Sequence, residues 1–153
     1  MATGTELTPE QFARDYPLLS KHIGVYESLY IVIDAEGRVV DTYRARNEFR
    51  VDGSRYVQRN IYTWPDGRTR DTTFPGTLRD GVLYFDTPVL KGEARQVSDD
   101  VILLVFDYVD RPVHVIETIR RVDDIRWGRT MQYYENGDLV RVAAVYHERK
   151  VAD

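Results

Sequence analysis

From residue 24 onward, short runs rich in β-branched and aromatic residues alternate with clusters of Gly, Pro, Asn and Asp. This pattern is typical of antiparallel strands joined by turns. It predicts strands over residues 25–33, 39–51, 55–64, 68–74, 82–86, 93–97, 101–109, 113–122, 126–135 and 139–150. Because such short connections make sequential strands pair antiparallel, we expect an all-β fold. It should be an up-and-down β-barrel of about ten strands, closed so that no strand edge is exposed.

The segment before the strands is predicted to be helical. Thr8 and Gln11 can form a capping box, and Pro9 suits the first helical position. Apolar residues then recur at helical spacing, although Pro17 interrupts them. We therefore predict one short helix over residues 9–21, with a kink or an early end at Pro17, that lies across or plugs one end of the barrel.

Length and composition fit one domain with one core. The chain has 153 residues, 42% hydrophobic and 30% charged, and a formal net charge of −4 that argues against nucleic-acid binding. We expect a flexible tail over residues 1–7 and a single barrel domain over residues 8–151. The sequence has no signal-peptide pattern and no apolar run long enough for a membrane span, so we expect a cytoplasmic protein.

The turn signal Asp52-Gly53 allows the side chains of two neighbouring strands to be assigned to faces. A two-residue turn there places Phe49 opposite Tyr56, and it separates an aromatic and amide face from a charged face. The aromatic and amide face is either a pocket wall or core filling. Its members are Tyr43, Asn47, Phe49, Tyr56, Gln58, Asn60, Tyr62 and Trp64.

The turn signal Asn136-Gly137 assigns the faces of the last two strands in the same way. A two-residue turn there pairs Tyr133 with Val140. The mostly apolar face should point inward, and it also carries the cation Arg129. Its ligand-contacting candidates are Trp127, Met131, Tyr133 and Tyr146, with Glu148 two residues further on the same side.

Glu117 is the strongest candidate for a buried acid, because its neighbours on one strand face are aliphatic. Glu117, Arg129 and Glu148 are either a catalytic set or a buried ion-pair network that holds the strand register. In a catalytic set, Glu117 would act as acid or base and Arg129 would stabilise developing negative charge. Glu148 would pair with Arg129 and orient it, and tyrosines would position the substrate. These are Tyr62, Tyr133 and Tyr146.

Several other kinds of site are not expected. The chain has no cysteine, and His22, His114 and His147 lie on separate segments without metal-ligand spacing, so we expect no metal site. A nucleophile elbow of the Gly-x-Ser-x-Gly type and a Gly-rich phosphate loop are both missing from the sequence. We therefore expect no cofactor.

Six segments of the chain together resemble a bacterial calycin-like family of uncharacterised domains that is distantly related to the phycobiliprotein lyases. They are NIYTWPDG (60–67), FPG (74–76), LYFD (83–86), IETI (116–119), RTMQ (129–132) and ER (148–149). The resemblance covers about residues 23–150. It implies a lipocalin-like, ten-stranded barrel, similar to fatty-acid-binding proteins, with an interior site for a hydrophobic or amphipathic small molecule. It also implies that an acid and a base in the closing segment, residues 146–149, help to hold that site. Met131 stands where a Trp would be expected.

We therefore expect a small-molecule pocket protein, and within that class a cofactor-independent cyclase or isomerase of a largely apolar, natural-product-like metabolite. One alternative is a non-catalytic carrier or a chromophore-binding, lyase-like protein, which would release its ligand unchanged. Another is an interaction domain, dimeric through its strand faces, whose interior would be filled. No nucleic-acid partner is expected.

Overall fold

The computed structural model describes residues 6–150, and it shows ten antiparallel strands closed into one barrel. The helices are α1 (Pro9–Asp15) and α2 (Pro17–His22). The strands are β1 (Gly24–Asp34), β2 (Val39–Asp52), β3 (Arg55–Thr63), β4 (Thr69–Arg79), β5 (Val82–Asp86), β6 (Leu90–Gln96), β7 (Val101–Tyr108), β8 (Val113–Arg121), β9 (Arg126–Glu135) and β10 (Asp138–Arg149).

The predicted up-and-down meander is confirmed. Each strand pairs with its neighbours in sequence, and β10 returns to pair with β1 and close the barrel. In the described part of the chain, neither helix has the length and apolar character that a membrane crossing requires. Residues 1–5 of the predicted tail and residue 151, the predicted last residue of the domain, lie outside the described residues.

The single predicted helix is two helices. The capping box is present, since the Thr8 side chain accepts a hydrogen bond from the Gln11 N–H and the Gln11 side chain accepts one from the Thr8 N–H. The helix then ends at Asp15, because the φ of −130° and ψ of 61° at Tyr16 are not helical. Pro17 lacks an N–H and cannot continue the hydrogen-bond ladder, but it suits the first position of α2.

The two helices close one end of the barrel. The Tyr16 hydroxyl donates to the Val82 carbonyl oxygen at 3.1 Å, and the Leu18 N–H donates to Gln96 Oε1 at 3.1 Å. Val82 begins β5 and Gln96 ends β6, so both contacts lie at the same end. Packed large side chains fill the interior next to the helices: Tyr26, Phe49, Leu83, Ile102, Ile119 and Trp127.

Two of the predicted tight turns have the geometry that their residues favour. Asp80 and Gly81 have φ values of 53° and 78°, and Asn136 and Gly137 have φ values of 52° and 86°. Two consecutive positive φ angles are the condition for the turn that best matches the twist of a hairpin, and Asn-Gly and Asp-Gly adopt it readily. These turns therefore set the start of the β4–β5 and β9–β10 pairings.

The β2–β3 hairpin turns one residue later than predicted. Its two-residue turn is Gly53-Ser54, and the ladder continues through Asp52. Each partner is displaced by two residues, so Phe49 lies opposite Gln58 rather than Tyr56. Because side chains alternate with a period of two, this displacement leaves the predicted inward face intact.

The prediction for the inward face of β10 is wrong. The turn Asn136-Gly137 lies where predicted, but the pairing shifts between Leu139 and Arg141, so that Tyr133 faces Arg141 instead of Val140. An extra residue in one strand reverses which side chains point inward beyond it. The buried residues of β10 are therefore Ala143, Val145 and His147, while Tyr146 and Glu148 are exposed.

Gly92 is required by the close approach of β6 to β7. A Cβ at this position would overlap the Val105 carbonyl oxygen and the backbone of Phe106. We predict that Gly92→Ala lowers the free energy of unfolding by about 2 kcal/mol, because strand backbone cannot move aside as a flexible side chain can. Urea unfolding followed by circular dichroism measures the change.

The matched control is Gly128→Ala in β9. A Cβ there would meet nothing closer than the Val145 carbonyl oxygen at 4.0 Å, so this variant should be as stable as the wild type or slightly more stable. Equal stability of the two variants would contradict the steric role of Gly92.

Candidate functional site

A cavity of about 560 Å³ occupies the half of the barrel away from the helices. Inward side chains of the strands line it, and its opening lies among the connections that follow β1, β3 and β7. A pocket of this size is in the range that holds a small organic ligand. Nine of the residues predicted as site residues line it: Tyr43, Gln58, Asn60, Tyr62, Trp64, Glu117, Arg129, Met131 and Tyr133.

Three further predicted residues are interior but lie outside the cavity wall. Phe49 and Trp127 pack in the core, where their rings lie 4.3 Å and 4.6 Å from the ring of His22. Asn47 is buried behind the wall, and its amide donates to Asn60 Oδ1 and to the Tyr30 hydroxyl. These side chains pack behind the residues that line the pocket, so they would not contact a ligand directly.

The predicted interior positions of Tyr146 and Glu148 are wrong. The Tyr146 residue is 62% exposed, and Glu148 is exposed as well. The cause is the bulge at the start of β10, which turns even-numbered side chains of that strand outward. Glu148 therefore does not pair with Arg129, and an acid on β8 takes that position.

The acid that pairs with Arg129 is Glu117. Arg129 Nη1 donates to Glu117 Oε2 at 3.1 Å, and both side chains are about 4% exposed. The predicted interior placement of both residues is therefore confirmed. Burial raises the pKa of Glu117 above its ordinary value, and the positive charge of Arg129 opposes that rise.

Three tyrosines form one aromatic wall of the cavity. The ring of Tyr30 stacks on that of Tyr43 with centroids 4.8 Å apart, and the Tyr62 ring meets both edge-on at 5.6 Å. Burial raises the pKa of Tyr30 to about 12, so its hydroxyl stays protonated near neutral pH. The wall can thus offer apolar area and hydroxyl donors to the same ligand.

The amide side chains next to this wall bond mainly to one another. Asn60 Oδ1 accepts from Asn47 Nδ2 at 2.7 Å and from Gln58 Nε2 at 3.4 Å. The Tyr56 hydroxyl donates to Gln58 Oε1 at 3.3 Å. Both readings of this face hold in part, because the amides satisfy one another while Gln58 and Asn60 also line the cavity.

The cavity also has lining residues that the sequence reasoning missed. Tyr30, Phe74, Phe106 and Tyr108 lie on β1, β4 and β7, and the period-two alternation of those strands could have identified them. Arg141 also lines the cavity, and the alternation predicted it to face outward. Only the bulge in β10 brings Arg141 inward, and no residue type in the sequence signals that bulge.

Two histidines are buried in the half of the barrel near the helices: His22 is the last residue of α2, and His147 lies on β10. His147 Nδ1 is hydrogen-bonded to Ser28 Oγ, and within residues 6–150 neither ring nitrogen of His22 has a hydrogen-bond partner. Burial lowers the pKa of each histidine well below 6.5, and the positive charge of Arg129 lowers it further. Within the same residues, no group of three or more His, Asp or Glu side chains converges as metal ligands would.

These histidines should make stability depend on pH. The folded protein keeps them neutral, whereas the unfolded chain takes up protons near the ordinary pKa of 6.5. The stability is therefore complete above pH 6.5 and should fall below it, by up to about 1.4 kcal/mol per pH unit for each histidine. Urea unfolding between pH 5 and 8 measures this slope. Glu117, whose pKa is raised by burial, reduces the slope wherever the folded protein protonates it before the unfolded chain does.

His22→Leu should remove one histidine's share of this slope. The exposed His114, which contacts Asp107, provides the control, and His114→Gln should keep the wild-type slope. If His22→Leu unfolds with the same pH dependence as the wild type, the buried imidazole of His22 is not the cause.

No protein-family model matches the chain, and no curated protein matches its sequence. Solved structures do match its fold. A protein of unknown function from the DUF3598 family of Nostoc punctiforme is 18% identical with a TM-score of 0.70, and the match covers 95% of this chain and 50% of that one. The present chain therefore spans about half the length of that protein.

Two other solved structures share the barrel over nearly their whole length. The S-type phycobiliprotein lyase CPES from Guillardia theta is 11% identical with a TM-score of 0.73, covering 96% of this chain and 95% of the lyase. EF1p2_mFAP2b, solved bound to DFHBI, is 11% identical with a TM-score of 0.51, covering 87% and 97%. These similarities confirm the expected fold, a closed antiparallel ten-stranded barrel like that of the lyase.

Proposed function

We propose that the protein binds a hydrophobic or amphipathic small molecule in the cavity and catalyses a proton transfer on it without a cofactor. The observation that carries this proposal is an open cavity of about 560 Å³ that reaches the buried ion pair of Glu117 and Arg129. The interaction-domain alternative predicts a filled interior, which differs from the cavity seen in the structure.

The cavity lining supports binding of a largely apolar molecule with a few polar groups. Tyr43, Tyr62 and Trp64 form a contiguous aromatic surface, with ring centroids 4.9 to 6.1 Å apart. Amide and hydroxyl groups beside it can orient a carbonyl or hydroxyl group of the ligand. EF1p2_mFAP2b, which shares the barrel fold, was solved bound to DFHBI, and this also supports a ligand-binding role.

The buried ion pair supports acid–base chemistry. A carboxyl group whose pKa is raised by burial can gain and lose a proton closer to neutral pH than an exposed one. Glu117 would take a proton from one carbon of the substrate. In an isomerisation it would return that proton to another carbon, and in a cyclisation it would return it to the atom that gains negative charge when the ring closes. Arg129 beside it would stabilise the negative charge that develops on a substrate oxygen.

The second candidate function is a carrier or a chromophore-binding, lyase-like protein without turnover of its own. The contact of 3.1 Å between Glu117 and Arg129 favours it, because each charge already has a partner within the protein. The similarity in fold to a phycobiliprotein lyase also supports this candidate. The two candidates differ in whether the bound molecule is released unchanged.

Binding can be tested before the ligand is known, with the neutral fluorescent dye Nile red. Met131 lines the cavity and its neighbour Gln132 points outward. We predict that Met131→Trp, which fills the cavity, weakens dye binding by about tenfold or more. Gln132→Trp adds the same side chain outside the barrel and should bind like the wild type. Equal affinities of both variants and the wild type would contradict binding in the cavity.

Catalysis is tested on the molecule that co-purifies with the protein, identified by mass spectrometry. We predict that Glu117→Gln lowers its conversion by about a hundredfold or more. In the wild type, conversion should increase as Glu117 loses its proton, with an apparent pKa above 4.5. Arg129→Met should also lower conversion, because the developing charge loses its stabilising partner.

Loss of one partner of a buried pair also destabilises the fold, by about 3–5 kcal/mol. The double variant Glu117→Gln/Arg129→Met removes both charges and should regain much of that stability, as urea unfolding would show, without regaining conversion. Unimpaired conversion in both single variants would exclude the catalytic role. Recovery of the molecule unchanged from the wild type would identify a carrier.

A further inference from the structure

Three arginines line the cavity near its open end. Arg70 is next to the first residue of β4, Arg111 is in the connection between β7 and β8, and Arg141 follows the bulge of β10. They come from three separate parts of the chain. The chain as a whole has a formal net charge of −4, so this concentration of positive charge is opposite to the protein's average.

All three arginines are exposed at the rim of the cavity, and two of their guanidinium groups stack on aromatic rings there. The Arg111 Cζ lies 4.0 Å from the ring centroid of Tyr108, and the Arg141 Cζ lies 4.3 Å from that of Tyr133. Both rings line the cavity. Stacking on an aromatic face leaves the N–H groups in the plane of the guanidinium free to bind an anion.

The ring that Arg111 contacts belongs to Tyr108, which also lines the cavity. Burial raises the pKa of Tyr108. The positive charge of Arg111 opposes that rise, as do those of Arg141 and Arg70, whereas the carboxylate of Glu117 adds to it. We name Arg70, Arg111, Arg141 and Tyr108 the mouth cluster.

The positive charge of the mouth cluster is poorly compensated. Within residues 6–150, neither Arg70 nor Arg141 has a carboxylate oxygen within 4.0 Å, and the only such contact of Arg111 is with exposed Asp110 at 3.9 Å. The single acid that lines the cavity near its mouth, Asp41, accepts a hydrogen bond from Trp64 Nε1 at 3.2 Å. Glu117 and Arg129 neutralise each other deeper inside.

We infer that the ligand is an amphipathic acid, whose carboxylate or phosphate is bound by the mouth cluster while its apolar part fills the cavity. This inference rests on the proposed function, since it requires that the cavity holds a ligand, and it adds the ligand's chemical class and orientation. Arginine is well suited to it, because its planar donors match the geometry of both acidic groups.

The spacing along β9 sets the approximate length of the ligand. Arg141 lies opposite Tyr133, which is four residues from Arg129 on the same strand. At the usual rise of a strand, these two levels are roughly 13 Å apart. A ligand of about this length would have its acidic group at the mouth and its far end beside Glu117.

The test uses three fluorescent probes with the same long apolar chain: one carries a carboxylate, one a phosphate, and one the uncharged methyl ester. We expect both acids to bind about tenfold more tightly than the ester at low salt and to lose this advantage as salt is added. Whichever acid binds more tightly identifies the acidic group.

Each substitution Arg70→Gln, Arg111→Gln and Arg141→Gln should weaken binding of the acids several-fold and leave binding of the ester unchanged. Arg44→Gln is the control, because Arg44 is exposed on β2 and does not line the cavity. This control should bind all three probes like the wild type. Thermal unfolding of every variant verifies that the barrel is intact.

The outcomes separate this inference from the proposed function. If the ester binds as tightly as the acids, or if the arginine variants bind the acids like the wild type, the anion site is disproved while binding in the cavity stands. If the wild type binds none of the probes and no Nile red, the proposed function fails and the inference fails with it.

Discussion

Closure of the sheet is the constraint on which the rest of the structure depends. Once β10 pairs with β1, every strand has a neighbour on both sides, and every second side chain must point into one shared interior. A charged residue at an inward position therefore cannot reach solvent through the wall. Glu117 and Arg129 occupy such positions on adjacent strands. Because neither charge can reach solvent, each is paired with the other through a hydrogen bond of 3.1 Å.

The interior is filled unevenly, and this unevenness creates the site. The helices and large aromatic side chains, among them Tyr26 and Trp127, pack the end near the helices. At the opposite end, the rings of Tyr30, Tyr43 and Tyr62 pack on one another along one wall. A cavity of about 560 Å³ remains beside them. The ion pair of Glu117 and Arg129 borders that cavity at its depth, and the arginines of the mouth cluster lie at its open end.

A buried ion pair is not by itself a means of stabilisation. Removing two charges from water costs about as much as their attraction returns, and apolar residues of similar volume often give a protein equal or greater stability. The ion pair of Glu117 and Arg129 borders an open cavity, and the proposed function depends on this observation. The arginines of the mouth cluster are exposed, so they carry no such cost of burial.

Local sequence determined the elements of this protein, and only the tertiary structure decided which side chains of β10 face inward. The capping box of α1, the Asn136-Gly137 turn and the alternation around Glu117 depend on residues close in sequence, so the sequence predicted them. A bulge depends on the fit between two strands within a closed barrel, and no local residue type encodes it. That one extra residue left Tyr146 and Glu148 on the outside, turned Arg141 towards the mouth of the cavity and buried His147.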